Sequence, residues 1–461
     1  MKNFIQFLTP MANHLQRNRN IWIIVSVAFA LRLLLFISGG GFTDAQSIVI
    51  RPDSATYINS AKSIAITGEF NKNPTSPIPE TKRPVGYPFY LALLFLIDDG
   101  LVLAVLMTCL LSALTCIPVY LAGKLFKNEL AGIVGSLLFA FNITSISSAI
   151  LILADSLFTF LVAWQFYFFL RFYKNDSRRD LWISIAFSGF ATLVKPVGLL
   201  WIIPALFLTI IYKHETIKKR AIAVIGTLAV FISIVFPWML RNQSMDAGFV
   251  VCTNPGYTLY YHSAAALMSY VTGESAETIR TRWMIKTEED FAANPDQYAT
   301  ESSRMKYRTE RAKKHIFDHP LLFIRLHIQP MILAPDVPSF FEILGLTQTG
   351  RGTLDVLHRQ GVIAAIKNYF GDRAWLLITI IPLLLIVLIS YLGCTVQVIR
   401  WFIDKNWFLL WTFLAFIVYY LVTPGPLVMP RYQLPALPMM CFMAGLGINW
   451  IFDYYKSRRQ S

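Results

Sequence analysis

Apolar stretches of membrane-spanning length alternate along the chain with short polar segments. Because a helix needs about 20 apolar residues to cross the hydrocarbon core, this pattern predicts an all-α polytopic integral membrane protein with about ten transmembrane helices. The predicted helices cover residues 21–37, 101–122, 130–143, 157–172, 181–194, 197–212, 221–238, 374–399, 407–422 and 435–455. The apolar stretches 89–97 and 321–333 are too short to span; we expect 321–333 at the membrane interface, and 89–97 either there or in a re-entrant segment.

Lysine and arginine are enriched after every second predicted helix, which orients the bundle. By the positive-inside rule both termini are cytoplasmic, and the loops 38–88 and 241–373 are external. Residues 1–20 lack the pattern of a cleavable signal peptide, so we expect the first helix to act as a signal-anchor in the plasma (inner) membrane. We therefore predict an N-terminal transmembrane catalytic module at 1–240, which includes the first external loop. An external, helical loop domain follows at 241–373, and C-terminal transmembrane helices occupy 374–461.

The composition agrees with a membrane body, since 55% of the residues are hydrophobic and 15% are charged, against about 25% charged in soluble domains. The net charge of +14 is mostly the positive-inside bias of the cytoplasmic loops. The basic residues are dispersed over short loops and form no single face, which argues against nucleic-acid binding. All but one of the five cysteines lie in apolar stretches, so no disulfide framework is indicated.

The first external loop contains the motif R-P-D-S-A-T-Y at residues 51–57. Apolar residues recur at helical spacing from Asp53 to Ile66, which predicts an amphipathic helix lying on the membrane. Asp53 is the candidate general base, because transfer of a group from a phosphate leaving group to a hydroxyl requires a carboxylate that accepts the proton. The alternative is that Asp53 only caps the helix that follows it.

Arg83 closes the same loop in the motif K-R-P-V-G-Y-P, and its fork of N–H donors suits a phosphate ligand. Contact with lipid headgroups is the alternative role for this side chain. Asp155, in A-D-S-L-F, follows the second external turn. It is either another helix cap or a second catalytic acid that orients the substrate.

Three further basic residues lie at external helix ends, where the positive-inside rule disfavours them. Lys195, Arg241 and Arg431 are therefore predicted to bind a donor phosphate together with Arg83, and so is Tyr432, which stands next to Arg431. Ionisable groups at membrane depth are costly and usually functional. These residues come from distant parts of the chain, but the predicted topology brings all of them to one face.

The sequence contains neither the glycine-rich loop of nucleotide-binding enzymes nor a histidine or cysteine cluster with metal-ligand spacing. A lipid-linked donor taken from the bilayer therefore fits better than a sugar nucleotide. A divalent metal cofactor is not supported by the residues.

Six motifs, spread in order over most of the membrane body, resemble those of the GT-C membrane glycosyltransferases, above all the protein O-mannosyltransferase and lipid A aminoarabinose transferase group. They are R-P-D-S-A-T-Y, K-R-P-V-G-Y-P-F-Y-L-A-L-L-F, A-D-S-L-F-T-F, L-V-K-P-V-G-L-L, F-P-W-M-L-R-N and P-R-Y-Q-L-P. The resemblance implies a GT-C-type bundle with a helical external cap. It also implies inverting transfer of a sugar from a polyprenyl-phosphate donor to a hydroxyl of a lipid, glycan or protein acceptor at the external (periplasmic) face.

The resemblance also implies roles for individual residues. Asp53 corresponds to the acceptor-activating base, Arg83 to a donor-phosphate ligand, and Asp155 to the acidic residue that opens a later helix. Some relatives have paired acidic residues in the first loop and some need a divalent metal. Here Ser54 follows Asp53, which leans against a metal.

Two other functions would use similar residues. A lipid-linked glycan transporter or flippase would carry charged residues inside several spans and open to both sides, whereas here the ionisable residues gather at one face. An O-antigen ligase or polymerase also uses a lipid-linked glycan and a large external loop, and only the ordered motifs separate it from the predicted enzyme.

Overall fold

The computed structural model describes residues 19–211, 216–328, 330–347, 356, 360–373, 375–426 and 429–460. The predicted cytoplasmic segment 1–20 lies outside these residues except for its last two positions. Within the described ranges the chain is helical and forms no β-strand, and an isolated antiparallel bridge joins Asn71 and Pro79. The predicted all-α class is confirmed.

The helices of the N-terminal part are, in chain order, α1 (Arg19–Ser38), α2 (Ala45–Val49), α3 (Ser54–Thr67), α4 (Gly86–Phe95), α5 (Leu101–Leu114), α6 (Cys116–Leu125), α7 (Glu129–Ala140), α8 (Ile143–Ser148), α9 (Asp155–Asn175), α10 (Arg178–Val194), α11 (Ile202–Ile211) and α12 (Ile217–Ser244). A 3₁₀-helix, Pro196–Trp201, connects α10 to α11.

The helices that follow are α13 (Asn254–Thr258), α14 (Ala265–Thr272), α15 (Ala276–Ala293), α16 (Glu301–Asp318), α17 (Pro320–His327), α18 (Val337–Ile343), α19 (Val362–Phe370), α20 (Leu376–Thr379), α21 (Ile381–Ile403), α22 (Trp407–Val422) and α23 (Leu437–Gln460). A π-helical turn, Leu259–Ala264, joins α13 to α14, and short 3₁₀-helices cover Pro330–Leu333, Gly371–Arg373 and Pro430–Ala436.

Five helical segments among the described residues are long and apolar enough to cross a membrane: Arg19–Ser38, Leu101–Leu125, Ile217–Ser244, Ile381–Ile403 and Pro430–Arg459. Shorter apolar helices, among them α4, α7 and α22, lie between them. The polytopic membrane class is therefore confirmed, but the predicted count of about ten spans is not.

Helix α12 continues past the predicted end of its span and reaches Ser244. The predicted domain division at residue 240 thus falls inside a helix. Hydrogen bonds from the side chains of Arg241 and Asn242 hold this last turn in place and account for the extension. Arg241 donates to the carbonyl groups of Glu80 and Phe70, and Asn242 donates to the carbonyl groups of Val250 and Val251.

Aromatic side chains fill the centre of the bundle. Phe166 of α9 packs edge-on against Phe413 and Phe416 of α22, with ring centroids 4.7 and 5.1 Å apart. Trp201 is fully buried against Phe416 at 3.8 Å. Each such pair contributes about 0.5–1.5 kcal/mol beyond the burial of its apolar area. These contacts join the segment after α10 to the C-terminal half of the chain.

Two glycines let the C-terminal helix α23 pack between α7 and α21. A Cβ atom on Gly445 would collide with the carbonyl oxygen of Ala131 in α7, and one on Gly447 would collide with the carbonyl oxygen of Gly393 in α21. Small residues at such positions allow helix backbones to approach closely inside a membrane. The backbone approach fixes α23 against helices from both halves of the chain.

A buried arginine in α1 has a structural role. Arg32 is fully buried, and it donates hydrogen bonds to the hydroxyl groups of Ser112 and Ser145 and to the carbonyl groups of Ala28 and Ala140. Oxygen dipoles from several helices thus surround its charge. An ionisable residue within a span is usually functional, but these contacts account for Arg32 as a link between helices.

Candidate active site

Asp53 stands immediately before α3, at the position where the sequence allowed either a base or a helix cap. Its carboxylate makes no hydrogen bond to the first turn of the helix. Instead, Oδ1 accepts a hydrogen bond of 2.7 Å from Nη2 of Arg83, and 46% of the Asp53 side chain remains exposed. The carboxylate is therefore directed towards a cation and partly towards open space rather than used as a cap.

Arg83 is held rigidly at the other end of the first loop. Its Nε donates to the hydroxyl of Thr56 at 3.0 Å, and its guanidinium lies 4.8 Å from the ring centre of Tyr57. Its backbone N–H donates to the carboxylate of Glu80, also at 3.0 Å. With only 8% of its side chain exposed, Arg83 fixes the geometry of the Asp53 carboxylate.

Two opposing effects set the pKa of Asp53. Burial acts to raise the pKa, but the positive charges of Arg83, Arg431 and Lys195 outweigh burial and hold it below its ordinary value of 3.8. Asp53 is consequently ionised at neutral pH. Its carboxylate can accept a proton or a hydrogen bond, and it offers a stable negative charge.

A second ion pair lies on the neighbouring helices. Asp155 is the first residue of α9, and its Oδ1 lies 2.6 Å from the ammonium of Lys195, which follows the end of α10. The Asp155 side chain is only 5% exposed. Gly86, at the start of α4, allows this helix to approach the carbonyl of Leu193 closely, since a Cβ there would lie 2.7 Å away. The close approach brings the end of the first loop next to Lys195.

Arg431 brings the C-terminal part of the chain to the same place. Its Nη2 lies 4.0 Å from Oδ2 of Asp53, and its guanidinium lies 5.6 Å from the ring centre of Tyr432. The ammonium of Lys195 lies 5.8 Å from the same ring. The Nε atom of Arg431 is buried and has no hydrogen-bond partner among the described residues. The site thus contains a guanidinium with unused donors.

Arg241, which the sequence grouped with these cations, is not brought into the cluster. Both of its Nη atoms donate to backbone carbonyls of the first loop, at 2.7 Å to Glu80 and 2.9 Å to Phe70. Its guanidinium also packs on the ring of Trp238 at 4.9 Å. These contacts explain Arg241 as an anchor of the loop that carries Asp53 and Arg83.

Sequence reasoning missed two groups near the site. Lys82 projects over the ring of Tyr257 from the 241–373 segment at 3.9 Å. His262 lies on the adjacent π-helical turn, and burial and the charge of Arg280 lower its pKa, while Asp53 acts in the opposite direction. A π-helical turn often marks a functional site. No short motif in the sequence indicates such a turn, and the pairing of Lys82 with a distant tyrosine depends on the tertiary fold.

The second missed group is Asp336, which stands before α18 and is 3% exposed. Its signal in the sequence, P-D-V-P-S, is that of an ordinary helix cap, and Oδ1 does accept from the backbone N–H of Ser339. The other carboxylate oxygen, Oδ2, is buried without a hydrogen-bond partner in the described part of the chain.

Among the described residues no three His, Cys, Asp or Glu side chains form a group that could hold a metal ion. The cluster contains instead two carboxylates, each paired with a cation, and a third cation, Arg431, with free donors. Such an arrangement can bind an anionic group on the basic side and accept a proton on the carboxylate side.

The sequence of residues 82–240 matches the family described as dolichyl-phosphate-mannose-protein mannosyltransferase. This match covers Arg83, Asp155 and Lys195, whereas Asp53 and Arg431 lie outside it. No curated protein matches the chain in sequence.

Solved structures are similar to this chain at low sequence identity. The archaeal oligosaccharyltransferase AglB from Archaeoglobus fulgidus, in complex with an inhibitory peptide and a dolichol-phosphate, aligns with a TM-score of 0.54 and 14% identity over 95% of this chain and 51% of its own. The apo form of the Archaeoglobus fulgidus oligosaccharyltransferase aligns with a TM-score of 0.54 and 13% identity over 95% of this chain and 51% of its own. ArnT from Cupriavidus metallidurans, bound to undecaprenyl phosphate, gives a TM-score of 0.49 with 12% identity over 94% of this chain and 61% of its own.

The chain spans about half the length of the oligosaccharyltransferase whose fold it shares. At 14% identity this likeness concerns the fold, while the match of residues 82–240 is one of sequence. Over residues 82–240, about a third of its length, the chain is thus similar in sequence to the dolichyl-phosphate-mannose-protein mannosyltransferases, and over 95% of its length it shares the fold of the archaeal oligosaccharyltransferase.

Proposed function

We propose that this protein is an inverting glycosyltransferase that moves a sugar from a polyprenyl-phosphate donor to a hydroxyl acceptor at the external face of the membrane. Two comparisons support the class of donor. The matching family is described by its dolichyl-phosphate-mannose donor, and the AglB structure contains a dolichol-phosphate.

The observation that carries the proposal is the buried Nε–H of Arg431, which has no hydrogen-bond partner among the described residues. A buried guanidinium N–H without a partner costs free energy, because water no longer solvates it. Nη2 of the same guanidinium lies 4.0 Å from Oδ2 of Asp53, which is also beyond hydrogen-bond distance. A phosphate is the anion that the fork of arginine donors binds best. We therefore assign the donor phosphate to Arg431. Arg83 and Lys195 contribute positive charge from the two ion pairs.

The same cations would stabilise the products of bond cleavage. As the glycosidic bond breaks, negative charge develops on the phosphate oxygen that leaves, and preorganised positive groups at that position lower the barrier. Lys195 can donate two further N–H bonds while it remains paired with Asp155. Asp155 would then act by holding the ammonium in place rather than by touching the acceptor.

Asp53 would accept the proton of the acceptor hydroxyl on the opposite side of the sugar, so that the configuration at the anomeric carbon inverts. Its low pKa makes it a weak base for a neutral alcohol. In an oxocarbenium-like transition state, however, the sugar becomes strongly electrophilic before the new bond forms, and the hydroxyl proton becomes acidic late. A carboxylate that is ionised at neutral pH suits that order of events.

The charge of the loops supports an external location of the reaction. Lysine and arginine mark the opposite ends of the helices as cytoplasmic, so the cluster would face the outside of the plasma (inner) membrane, with both termini inside. The 241–373 segment, which contributes Tyr257 and His262 near Asp53, would bind the acceptor from the external side.

The test uses purified full-length protein and a panel of radiolabelled polyprenyl-phosphate monosaccharides, and it measures release of polyprenyl phosphate in the presence of candidate acceptors. We expect release by the wild type and at least a hundred-fold slower release by Arg431→Gln, since charge-assisted hydrogen bonds to phosphate each contribute about 1.5–3 kcal/mol. Arg282→Gln, an exposed arginine on α15, is the matched control and should behave as wild type.

If the wild type releases nothing from any donor but moves labelled lipid across vesicle membranes, the protein is a transporter and the proposal is wrong. If Arg431→Gln retains full activity, the enzyme class stands but the assignment of the phosphate site to Arg431 does not.

A further inference from the structure

Asp336 and Arg431 carry buried polar atoms of opposite kind that the described residues leave without partners. Oδ2 of Asp336 is a hydrogen-bond acceptor, and Nε–H of Arg431 is a donor. Buried polar groups in folded proteins nearly always have a partner, so an orphaned pair in one region calls for an explanation.

The two residues lie on segments that touch. The side-chain amide of Gln433 donates to the carbonyl of Ala334 at 2.5 Å, and these two residues are two positions away from Arg431 and Asp336 respectively. The hydroxyl of Tyr391 reinforces the contact, since it donates to Gln433 Oε1 at 2.8 Å. Asp336 therefore belongs to the wall of the site beside Arg431.

The backbone of Asp336 is fixed from the other side as well. Its N–H donates to the hydroxyl of Thr144 at 2.9 Å, and its carbonyl accepts from the hydroxyl of Ser147 at 3.4 Å. One carboxylate oxygen is used to cap α18 through Ser339. The other oxygen is thus held in place but unused, which is the state of a preorganised ligand group.

The chemistry of Asp336 indicates which part of the donor it would contact. Burial raises the pKa of Asp336 above its ordinary value, although hydrogen bonds with Ser339 and the charges of Arg431 and Arg51 act to lower it. Phosphate is bound by cationic donors, and Asp336 is not one of them, so it is a poor neighbour for the phosphate itself. The moiety joined directly to that phosphate in the donor is the sugar, and its hydroxyl groups both donate and accept hydrogen bonds.

We propose that Asp336, beside the phosphate site at Arg431, forms a subsite for a hydroxyl group of the donor sugar and so selects which sugar is transferred. The subsite rests on the proposed function, since it requires the donor phosphate to sit at Arg431. A sugar hydroxyl would form a hydrogen bond with Oδ2 of Asp336, and the donor phosphate would accept from Nε–H of Arg431. Both orphaned atoms would then have partners in the donor complex.

The test combines a change in the protein with a change in the ligand. Binding of polyprenyl phosphate, of the polyprenyl-phosphate sugar that the wild type turns over best, and of its monodeoxy analogues is measured by titration of the full-length protein in detergent micelles. The proteins are the wild type, Asp336→Asn, and Asp44→Asn as a control. Asp44 is also a helix cap, accepting from the N–H of Ser47, but it is exposed and caps α2.

One deoxy analogue should bind the wild type about ten-fold or more weakly than the complete donor, because a buried carboxylate loses its partner. Asp336→Asn should discriminate against that analogue several-fold less, and should bind polyprenyl phosphate without sugar as the wild type does. The control Asp44→Asn should keep the full discrimination.

The subsite is refuted if every deoxy analogue loses affinity by the same factor in the wild type and in Asp336→Asn. It is also refuted if Asp336→Asn weakens binding of polyprenyl phosphate and of the polyprenyl-phosphate sugar equally. In either case Asp336 has only a structural role. A wild type that binds no polyprenyl phosphate at all would instead refute the proposed function. Where Asp336→Asn fails to fold, Asp336→Glu replaces it. The longer side chain should shift which deoxy analogue is tolerated, and an unchanged pattern would again refute the subsite.

Discussion

Replacing Asp53 by asparagine separates catalysis from binding of the donor. The amide has nearly the shape of the carboxylate, and its oxygen can still accept the 2.7 Å hydrogen bond from Arg83. The fold of the first loop should therefore persist. The substitution removes only the negative charge and the capacity to take a proton.

The expected loss of turnover is large. A positioned general base contributes about a hundred- to ten-thousand-fold to the rate, and Asp53 is the exposed carboxylate of the cluster, whereas Asp155 is buried against Lys195. We expect turnover of the donor to fall by at least a hundred-fold in Asp53→Asn.

Binding of the donor should move in the opposite direction. Unit charges 4 Å apart interact by about 1 kcal/mol in water and about 4 kcal/mol in a medium of effective dielectric 20. Because 46% of the Asp53 side chain is exposed, the lower figure applies to its attraction for Arg431. Loss of this competing charge should tighten binding of polyprenyl phosphate by up to about five-fold.

The assay pairs single-turnover release of polyprenyl phosphate with equilibrium binding of the same lipid, for the wild type, Asp53→Asn and Asp44→Asn. Turnover and affinity that fall together would show that Asp53 serves the structure of the site. Turnover above about a tenth of wild type would transfer the role of base to another group.

Three further predictions concern the cations. Arg83→Gln removes a charge that lowers the pKa of Asp53, which in the wild type lies below 3.8 because such charges outweigh burial. The pKa should therefore rise, and the acidic limb of the pH–rate profile should move to higher pH. An unmoved limb would mean that another group titrates. Lys195→Met leaves Asp155 buried without its partner at 2.6 Å and should lower the free energy of unfolding by about 3–5 kcal/mol. The double variant with Asp155→Asn should recover most of this loss, and a single variant as stable as wild type would contradict the reasoning. Arg241→Gln removes hydrogen bonds of 2.7 and 2.9 Å to the first loop and should speed proteolysis inside that loop, while unchanged digestion would show that the anchor is dispensable.

The sequence predicted elements that depend on local pattern. The amphipathic segment expected from Asp53 to Ile66 is the helix Ser54–Thr67, and the span expected at 407–422 is the helix Trp407–Val422. Apolar periodicity and length decide these elements, and both are visible in a single chain. The polytopic class depends on the same information, whereas the resemblance to GT-C enzymes rests on six motifs that follow in order along the chain.

Contacts between distant residues could not be read from the sequence. The positive-inside argument placed Arg241 and Arg431 in one group, but it fixes only the side of the membrane on which a residue lies. Arg241 turns towards carbonyl groups of the first loop, whereas Arg431 turns towards Asp53. The free oxygen of Asp336 was hidden for a related reason, because its other oxygen performs the capping role that the sequence indicates.

The glycine contacts of α23 bear on when the protein becomes competent during its synthesis. Asp53 and Arg83 are synthesised early, while Arg431 immediately precedes α23, which is held by the close approach of Gly445 and Gly447 to helices α7 and α21. A nascent chain that has inserted only its earlier spans therefore contains both ion pairs but lacks Arg431. Under the proposed function, insertion of the helix after residue 436 would complete the donor site.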